Sequence, residues 1–244
     1  MRVAAIYDIH GNLPALEAVL DAIRAEGVDR IVVGGDVVPG PMPRESVSTL
    51  LDLPTPVRFI HGNGESDILA LHRGERLARV PEAFHHIMRW VLEELSPEHL
   101  SAFATWPLTS RLDVPGLGNV LFCHATPRDD NEIFTRLTRE DRLRPVFEGT
   151  NANVVICGHT HMQFDRRVGD VRVLNAGSVG LPFGSTGAHW VLLESGTVQL
   201  RSTPYDLDAA VERIRATTYP SEIDLRRPPP EPQMLEVFEK VSLT

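Results

Sequence analysis

The sequence predicts an α/β fold with a second sheet toward its C-terminal end. Three observations carry that prediction. The chain opens as strand, turn and helix. Short apolar runs then end repeatedly in turns carrying Asp, Asn or His. From about residue 163 onward the pattern changes to short strands separated by Gly-containing turns, which suggests an antiparallel or mixed second sheet.

Residues 3–7 form a short apolar run, a buried strand, followed by the polar turn Asp8-Ile9-His10-Gly11-Asn12. A helix comes next, with Asn12 as N-cap and Pro14 in the first turn. Leu13, Leu16, Val19, Leu20 and Ile23 lie at helical spacing, and Gly27 is the C-cap. Residues 31–33 are a second strand ending in Gly34-Gly35-Asp36, and a Pro/Gly-rich loop covers 38–43. Residues 57–60 are a third strand, ending in His61-Gly62-Asn63-Gly64-Glu65. Residues 66–106 read as helical, with Pro81 starting one helix and Ser96-Pro97-Glu98 capping another. Strands at 120–123 and 154–157 end in His124-Ala-Thr-Pro and Gly158-His159-Thr160-His161. Four more short strands follow at 163–168, 171–174, 188–193 and 197–201.

The main body spans residues 1–203. The remainder, 204–244, holds a helix at 207–216, the run Pro228-Pro229-Pro230 and an amphipathic segment at 234–241. Prolines in series suit neither helix nor central strand. The tail is therefore expected to be an arm, laid over its own core or clasping a second subunit.

With 24 basic and 33 acidic side chains among 244 residues, the formal charge is −9, and 42% of residues are hydrophobic. That is the balance of a globular chain long enough to bury a core. An acidic surface argues against non-specific nucleic-acid or anionic-membrane binding, though not against a nucleotide as substrate. No apolar run reaches the roughly 18–20 residues that span a bilayer, and the N-terminus turns polar too early for a signal peptide. A cytoplasmic protein is expected. Two cysteines, Cys123 and Cys157, are too few for a disulfide framework. Alternation along their strands turns each away from the neighbouring histidine, so they are expected to be buried thiols. His61, His72, His85, His86, His99 and His189 are read as ordinary surface or core histidines.

The polar residues at the strand ends are Asp8, His10, Asp36, Asn63, His124, His159 and His161. Imidazoles, carboxylates and one amide oxygen suit Mn²⁺, Fe²⁺, Zn²⁺ or Ni²⁺ without any thiolate. Seven ligands exceed the need of one ion and suffice for two if a carboxylate bridges. Residues two apart in a tight turn, as in Asp-x-His and His-x-His, can aim at one point.

These blocks, in this order, resemble the calcineurin-like metallophosphoesterases: D-x-H at Asp8-Ile9-His10, G-D at Gly35-Asp36, then Gly62-Asn63-Gly64-Glu65, His124 and Gly158-His159-Thr160-His161. The resemblance runs from residue 1 to about 203 and includes Asn175-Ala-Gly-Ser-Val-Gly180. It implies a four-layer αββα sandwich, two facing mixed β-sheets flanked by helices. It also implies one ion on Asp8, His10, Asp36 and His161, and a second on Asp36, Asn63, His124 and His159, roughly 3.5–4 Å apart. A hydroxide bridging the ions would attack phosphorus in line. Asn175 and Ser178 are expected to orient ligands. Asn12, Asn63 and Arg128 are candidate contacts to substrate, with helix capping and a solvated loop arginine as the alternatives for Asn12 and Arg128.

One position departs from the family. Its third motif usually carries a His after the Asn, assigned to the transition state or the leaving group, and Gly64 stands there. Losing a general acid costs about 10²–10⁴-fold, most of all for poor leaving groups. The expected activity is therefore a phosphoesterase favouring phosphodiesters, unless His72, His85 or His86 supplies an acid. A phosphomonoesterase or phosphoprotein phosphatase, and a non-catalytic scaffold on the same fold, are the alternatives.

Overall fold

Two five-stranded mixed sheets face each other in the computed structural model, which describes residues 1–243. The strands are β1 (Arg2–Ile6), β2 (Arg30–Val33), β3 (Val57–Phe59), β4 (Thr109–Val114), β5 (Gly118–Cys123), β6 (Val154–Cys157), β7 (Phe164–Val168), β8 (Val171–Asn175), β9 (Ala188–Glu194) and β10 (Thr197–Thr203). The helices are α1 (Leu13–Glu26), α2 (Pro43–Leu51), α3 (Asn63–His72), α4 (His85–Glu94), α5 (Pro97–Phe103), α6 (Glu140–Phe147), α7 (Leu207–Arg215) and α8 (Glu231–Glu239). One sheet runs β10-β9-β1-β2-β3 and the other β4-β5-β6-β8-β7.

The period-2 side-chain alternation of the strands separates the layers. Val3 and Ala5 of β1 meet Val120 and Phe122 of β5 and Val154 and Ile156 of β6 between the sheets. Ala4 and Ile6 turn the other way, onto α1 residues Leu16, Val19 and Ile23. Leu121, Cys123, Val155 and Cys157 face outward against Leu143, Val146 and Phe147 of α6. Helix, sheet, sheet and helix are thus four layers with three apolar interfaces, and both cysteines are free and buried on the face away from the strand-end turns.

The four late strands do not make one sheet. β7 and β8 pair with each other and with β6, whereas β9 pairs antiparallel with β1 and carries β10. Residues 176–187 cross between the sheets. Ala176 N–H donates to Cys157 O at 2.7 Å, Val179 N–H to Tyr7 O at 2.9 Å, and Gly180 N–H to Asp8 O at 3.0 Å. Three elements lay outside the sequence expectation. β4 is a polar edge strand paired antiparallel with β5. α2 follows the 38–43 loop in a stretch to which the sequence assigned no element, and α6 carries Pro145 within it. The stretch expected to be helical, 66–106, is interrupted by an irregular segment at 73–81 and a 3-10 turn at Glu82–Phe84.

The C-terminal segment lies along its own chain. Thr218 Oγ1 accepts from the Trp90 indole at 3.2 Å, Tyr219 packs edge-on against that ring, and Leu225 and Leu235 are buried. Arg136 pairs with Glu231, Thr135 Oγ1 donates to Glu239 at 2.6 Å, and Arg142 donates to Ser242. No helix among the described residues is long and apolar enough to cross a membrane.

Candidate metal centre

The parallel strands β1 and β2 and the strands β5 and β6 deliver their C-terminal ends to one place, where ligands of α/β sheets gather. The turns there are tied together by backbone. Asp8 N–H donates to Gly35 O at 3.1 Å, His10 N–H to Asp36 O at 3.0 Å and Gly158 N–H to His124 O at 2.8 Å. Asp8, His10, Asp36, His159 and His161 all have positive φ, between 49° and 68°. Left-handed backbone is uncommon for residues other than glycine and persists where the surroundings enforce it. Here it turns the side chains of Asp8 and His10 inward together, with Asp8 Oδ1 4.0 Å from His10 Nε2.

The polar atoms fall into two adjoining groups, Asp8, His10 and His161, and Asp36, His124 and His159. The His-x-His pair is thus divided, one residue to each group. His161 Nε2 lies 3.4 Å from Asp8 Oδ1, and His124 Nε2 lies 3.5 Å from Asp36 Oδ1 and 3.1 Å from Asn63 Oδ1. Asp36 also faces the first group, its Oδ2 3.8 Å from His10 Nε2. All seven predicted residues are therefore brought together.

The ring nitrogens decide what this cluster fits. Nδ1 of His10 lies 3.1 Å from Pro39 O, that of His124 2.9 Å from Gly34 O, and that of His161 2.7 Å from Leu181 O. A carbonyl accepts only, so in a neutral ring the proton sits on Nδ1 and the Nε2 lone pair points inward. His10 and His161 set their two Nε2 atoms 3.0 Å apart, a contact in which at most one of them carries a proton. His159 Nε2 and Asp8 Oδ1 are buried with no hydrogen-bond partner. Orphaned buried acceptors carry a penalty of about 1–3 kcal/mol each. Cations placed among them would relieve it, so the residues present fit divalent ions.

The electrostatics agree. Burial and the neighbouring His161 hold His10 down to about 3, and burial with His124 does the same to His159, so both are neutral and metal-competent at ordinary pH. Burial alone would raise the Asp8 carboxyl, but His161, His124 and His10 keep it below the usual range. Burial, Glu65 and Asp8 push Asp36 up, as expected of carboxylates crowded together without their cations.

Neighbouring residues fix these ligands. Glu65 accepts backbone N–H bonds from Asp36 (2.9 Å), Val37 (2.8 Å), Val38 (3.2 Å) and Gly62 (2.8 Å), lashing two ligand loops to α3. Asn175 Nδ2 donates to Gly158 O at 2.5 Å and to Thr160 Oγ1 at 3.1 Å. Ser178 Oγ donates to Asp8 O at 2.7 Å. Gly64 is a contact point. A β-carbon there would stand 2.0 Å from Val38 O and 3.0 Å from Asp36 Oδ1. Its N–H donates to Asp36 Oδ1 at 2.7 Å, a backbone bond to a candidate ligand.

A cavity of about 340 Å³ opens beside the cluster, lined at its polar end by His10, Asp36, Asn63, Gly64, Asp67 and Arg79. Neither Asn12 nor Arg128 lines it. Asn12 Oδ1 caps α1 through Ala15 N–H, and its Nδ2 donates to Gly180 O and to the Tyr205 hydroxyl, leaving it 2% exposed. Arg128 is held by Glu132 at 2.5–3.1 Å. His72, His85 and His86 do not line it either; His85 Nε2 lies 2.8 Å from Val80 O and His86 Nε2 3.3 Å from Pro220 O. The cation that does face it is Arg79, which donates to Asp130 at 2.8 Å and Asp67 at 3.2 Å. No motif marks Arg79. The one signal was Asp67, an acid four residues after Asn63 and so on the same face of α3.

Comparisons with known proteins point one way. A family model described as the calcineurin-like phosphoesterase superfamily domain matches residues 1–197. An uncharacterised protein of Methanocaldococcus jannaschii is 28% identical over 231 residues, covering 87% of this chain and 91% of that one. The crystal structure of a metallophosphoesterase from Sphaerobacter thermophilus is 25% identical, with a TM-score of 0.70 over 88% of this chain and 94% of its own. A protein of Pyrococcus horikoshii OT3 shares the fold at 18% identity, with a TM-score of 0.74 and 97% of each chain covered.

Proposed function

The chain belongs to the calcineurin-like phosphoesterase superfamily, a family of metal-dependent hydrolases, and we propose that it is a dinuclear phosphoesterase favouring phosphodiesters. The observation that carries this is the convergence of four imidazoles and two carboxylates, with Asp8 Oδ1 and His159 Nε2 buried without partners. In this reading Asp8, His10, Asp36 and His161 hold one ion, and Asp36, Asn63, His124 and His159 the other. Manganese, iron, zinc and nickel all suit the set. Bound there, divalent ions would supply Lewis acidity, activating a water for attack and offsetting charge on the phosphoryl oxygens.

The chain's own residues do the rest. Glu65, Asn175 and Ser178 hold the ligand loops in register, so little reorganisation is needed as charge develops. Arg79, pinned by Asp67 and Asp130, offers its remaining N–H donors to a phosphate at the polar end. Gly64 supplies no proton to a departing oxygen. That favours esters whose leaving group departs without one, and it disfavours phosphoserine, an alkoxide leaving group. Residues 1–203 form the catalytic body in this reading, and 204–244 an arm laid across it.

The test begins with chelator-stripped protein, reloaded with Mn²⁺, Ni²⁺, Zn²⁺ or Mg²⁺ and assayed on p-nitrophenyl phosphate and bis-p-nitrophenyl phosphate. Metal-restored turnover, faster on the diester, is expected. Faster turnover of the monoester would replace diesterase by phosphatase. No turnover despite two bound ions would return the scaffold alternative.

A further inference from the structure

The cavity has two unlike ends. Besides its polar residues the cavity is lined by Val80, Phe84, Ile87 and Met88 from the insert, by Leu181, and by Tyr219 and Ile223 from the C-terminal segment. Phe84 is 53% exposed. A single exposed phenylalanine means little. Seven apolar residues lining one cavity, continuous with a cluster of metal-competent groups, form a small-molecule site of the usual kind, apolar with a few convergent polar groups.

The wall is also supported. Tyr219 packs edge-on against Trp90 of α4 at 5.3 Å between ring centres, and Trp90 donates to Thr218. Ile87 and Met88 are buried on the same helix. The segment from 217 to 223 lies beyond residues 1–197, which match the family model, whereas Val80, Phe84, Ile87 and Met88 lie within them.

Resting on the phosphoesterase reading above, we propose that this wall receives an aromatic ester group of the substrate, making the chain selective for aryl-type phosphoesters. The volume, about 340 Å³, is at the low end for small-molecule sites of roughly 300–1,000 Å³, enough for a phosphate and a ring. Arg79 is the one Arg or Lys lining the cavity among the described residues. Aromatic rings of Phe84 and Tyr219 favour a planar partner through offset or edge contacts. The same wall accounts for a site without the motif histidine, because a phenolate departs without a proton where an alkoxide does not.

The experiment compares two non-hydrolysable probes with one head group. Methylphosphonate and phenylphosphonate are titrated calorimetrically into the manganese-loaded protein. Phenylphosphonate is expected to bind about tenfold tighter, which is about 1.4 kcal/mol. In Phe84→Ala and in Tyr219→Ala that preference should collapse while methylphosphonate affinity holds; Phe84→Tyr should retain it. Phe84 is exposed enough that its truncation leaves the fold intact, so the test survives if Tyr219→Ala does not fold. Equal affinities in the parent protein, or an unchanged preference in Phe84→Ala, would overturn the aromatic wall alone. Binding of neither phosphonate would overturn the phosphoesterase reading as well.

Discussion

The two ends of the cleft are built by opposite means. At the polar end five of the seven candidate ligands, Asp8, His10, Asp36, His124 and His161, have a second anchor. His10, His124 and His161 are each set against a carbonyl, Asp8 Oδ2 accepts from His159 N–H at 2.9 Å, and Glu65 accepts four backbone N–H bonds. At the apolar end Phe84 is half in solvent, and the wall comes from segments more than 130 residues apart, 80–88 and 219–223. Chemistry that must hold charged atoms within tenths of an ångström demands braces. Contact with an organic group demands only apolar area, which is non-directional.

That contrast sets the order of expected effects. Asp36→Asn should be the most severe, because Asp36 is the ligand shared by both ions in the proposed reading and lies 3.5 Å from His124 and 3.8 Å from His10. Removing one electrostatic stabiliser costs about 10²–10³-fold in kcat, and a residue shared by two ions should cost at least that. Metal content by mass spectrometry should fall alongside the rate. Retention of both ions and of most of the activity would break the claim that the polar end depends on each of its parts.

Gly64→His follows. Installing the family's usual residue is expected to destabilise by about 1–3 kcal/mol, the ordinary range for overpacking. The reason is that its β-carbon would press on the Val38 carbonyl at 2.0 Å. Thermal unfolding should show the loss, with no gain in rate on alkyl esters. A variant of unchanged melting temperature and faster alkyl-ester turnover would show that this end tolerates remodelling as the other does.

Much of the polar end was legible in the sequence, and the cause is physical. Metal chemistry accepts few residue types, and strand ends place them at fixed spacings, so Asp8, His10, Asp36, Asn63, His124, His159 and His161 stood out together. Strand alternation likewise told that Cys123 and Cys157 face away from the neighbouring histidines. The reason for Gly64 was not legible, because it is a contact with Val38, an approach between loops 26 residues apart in sequence. Nor was the course of the late strands: only the crossing at 176–187 assigns β7 and β8 to one sheet and β9 and β10 to the other. β4 was hidden because an edge strand needs few apolar residues. The cleft walls were hidden because Arg79, Phe84 and Tyr219 belong to no motif and meet only through tertiary packing.

A milder change probes the layer behind the ligands. His189 N–H donates to Ser178 O at 2.9 Å, and its ring is buried with Nδ1 unpartnered. Burial lowers it from 6.5 to about 4. A depressed histidine binds fewer protons folded than unfolded. Its contribution to stability is therefore complete above pH 6.5 and is lost as pH falls toward 4. The loss is on the order of 3 kcal/mol. Chemical denaturation of metal-loaded protein across that window should show a shallower decline for His189→Gln than for the parent. Parallel curves would place the acid-sensitive group elsewhere.

The sharpest comparison between two arginines is expected to give the smallest effect of all. Arg79 lines the cavity and is held by two buried carboxylates, whereas Arg128 is an exposed loop residue occupied by Glu132, four positions away. Exposed pairs of that kind contribute about 0.2–1 kcal/mol. Arg128→Ala should leave kcat/KM unchanged and stability within about 0.5 kcal/mol. Arg79→Lys, which keeps a charge for Asp130 but loses the planar fork, should raise KM for phosphoesters about tenfold, the loss of one charge-assisted bond. If the two variants behaved alike, the phosphate would be steered by net charge rather than by a fixed guanidinium, and the polar end would extend no further than its metals.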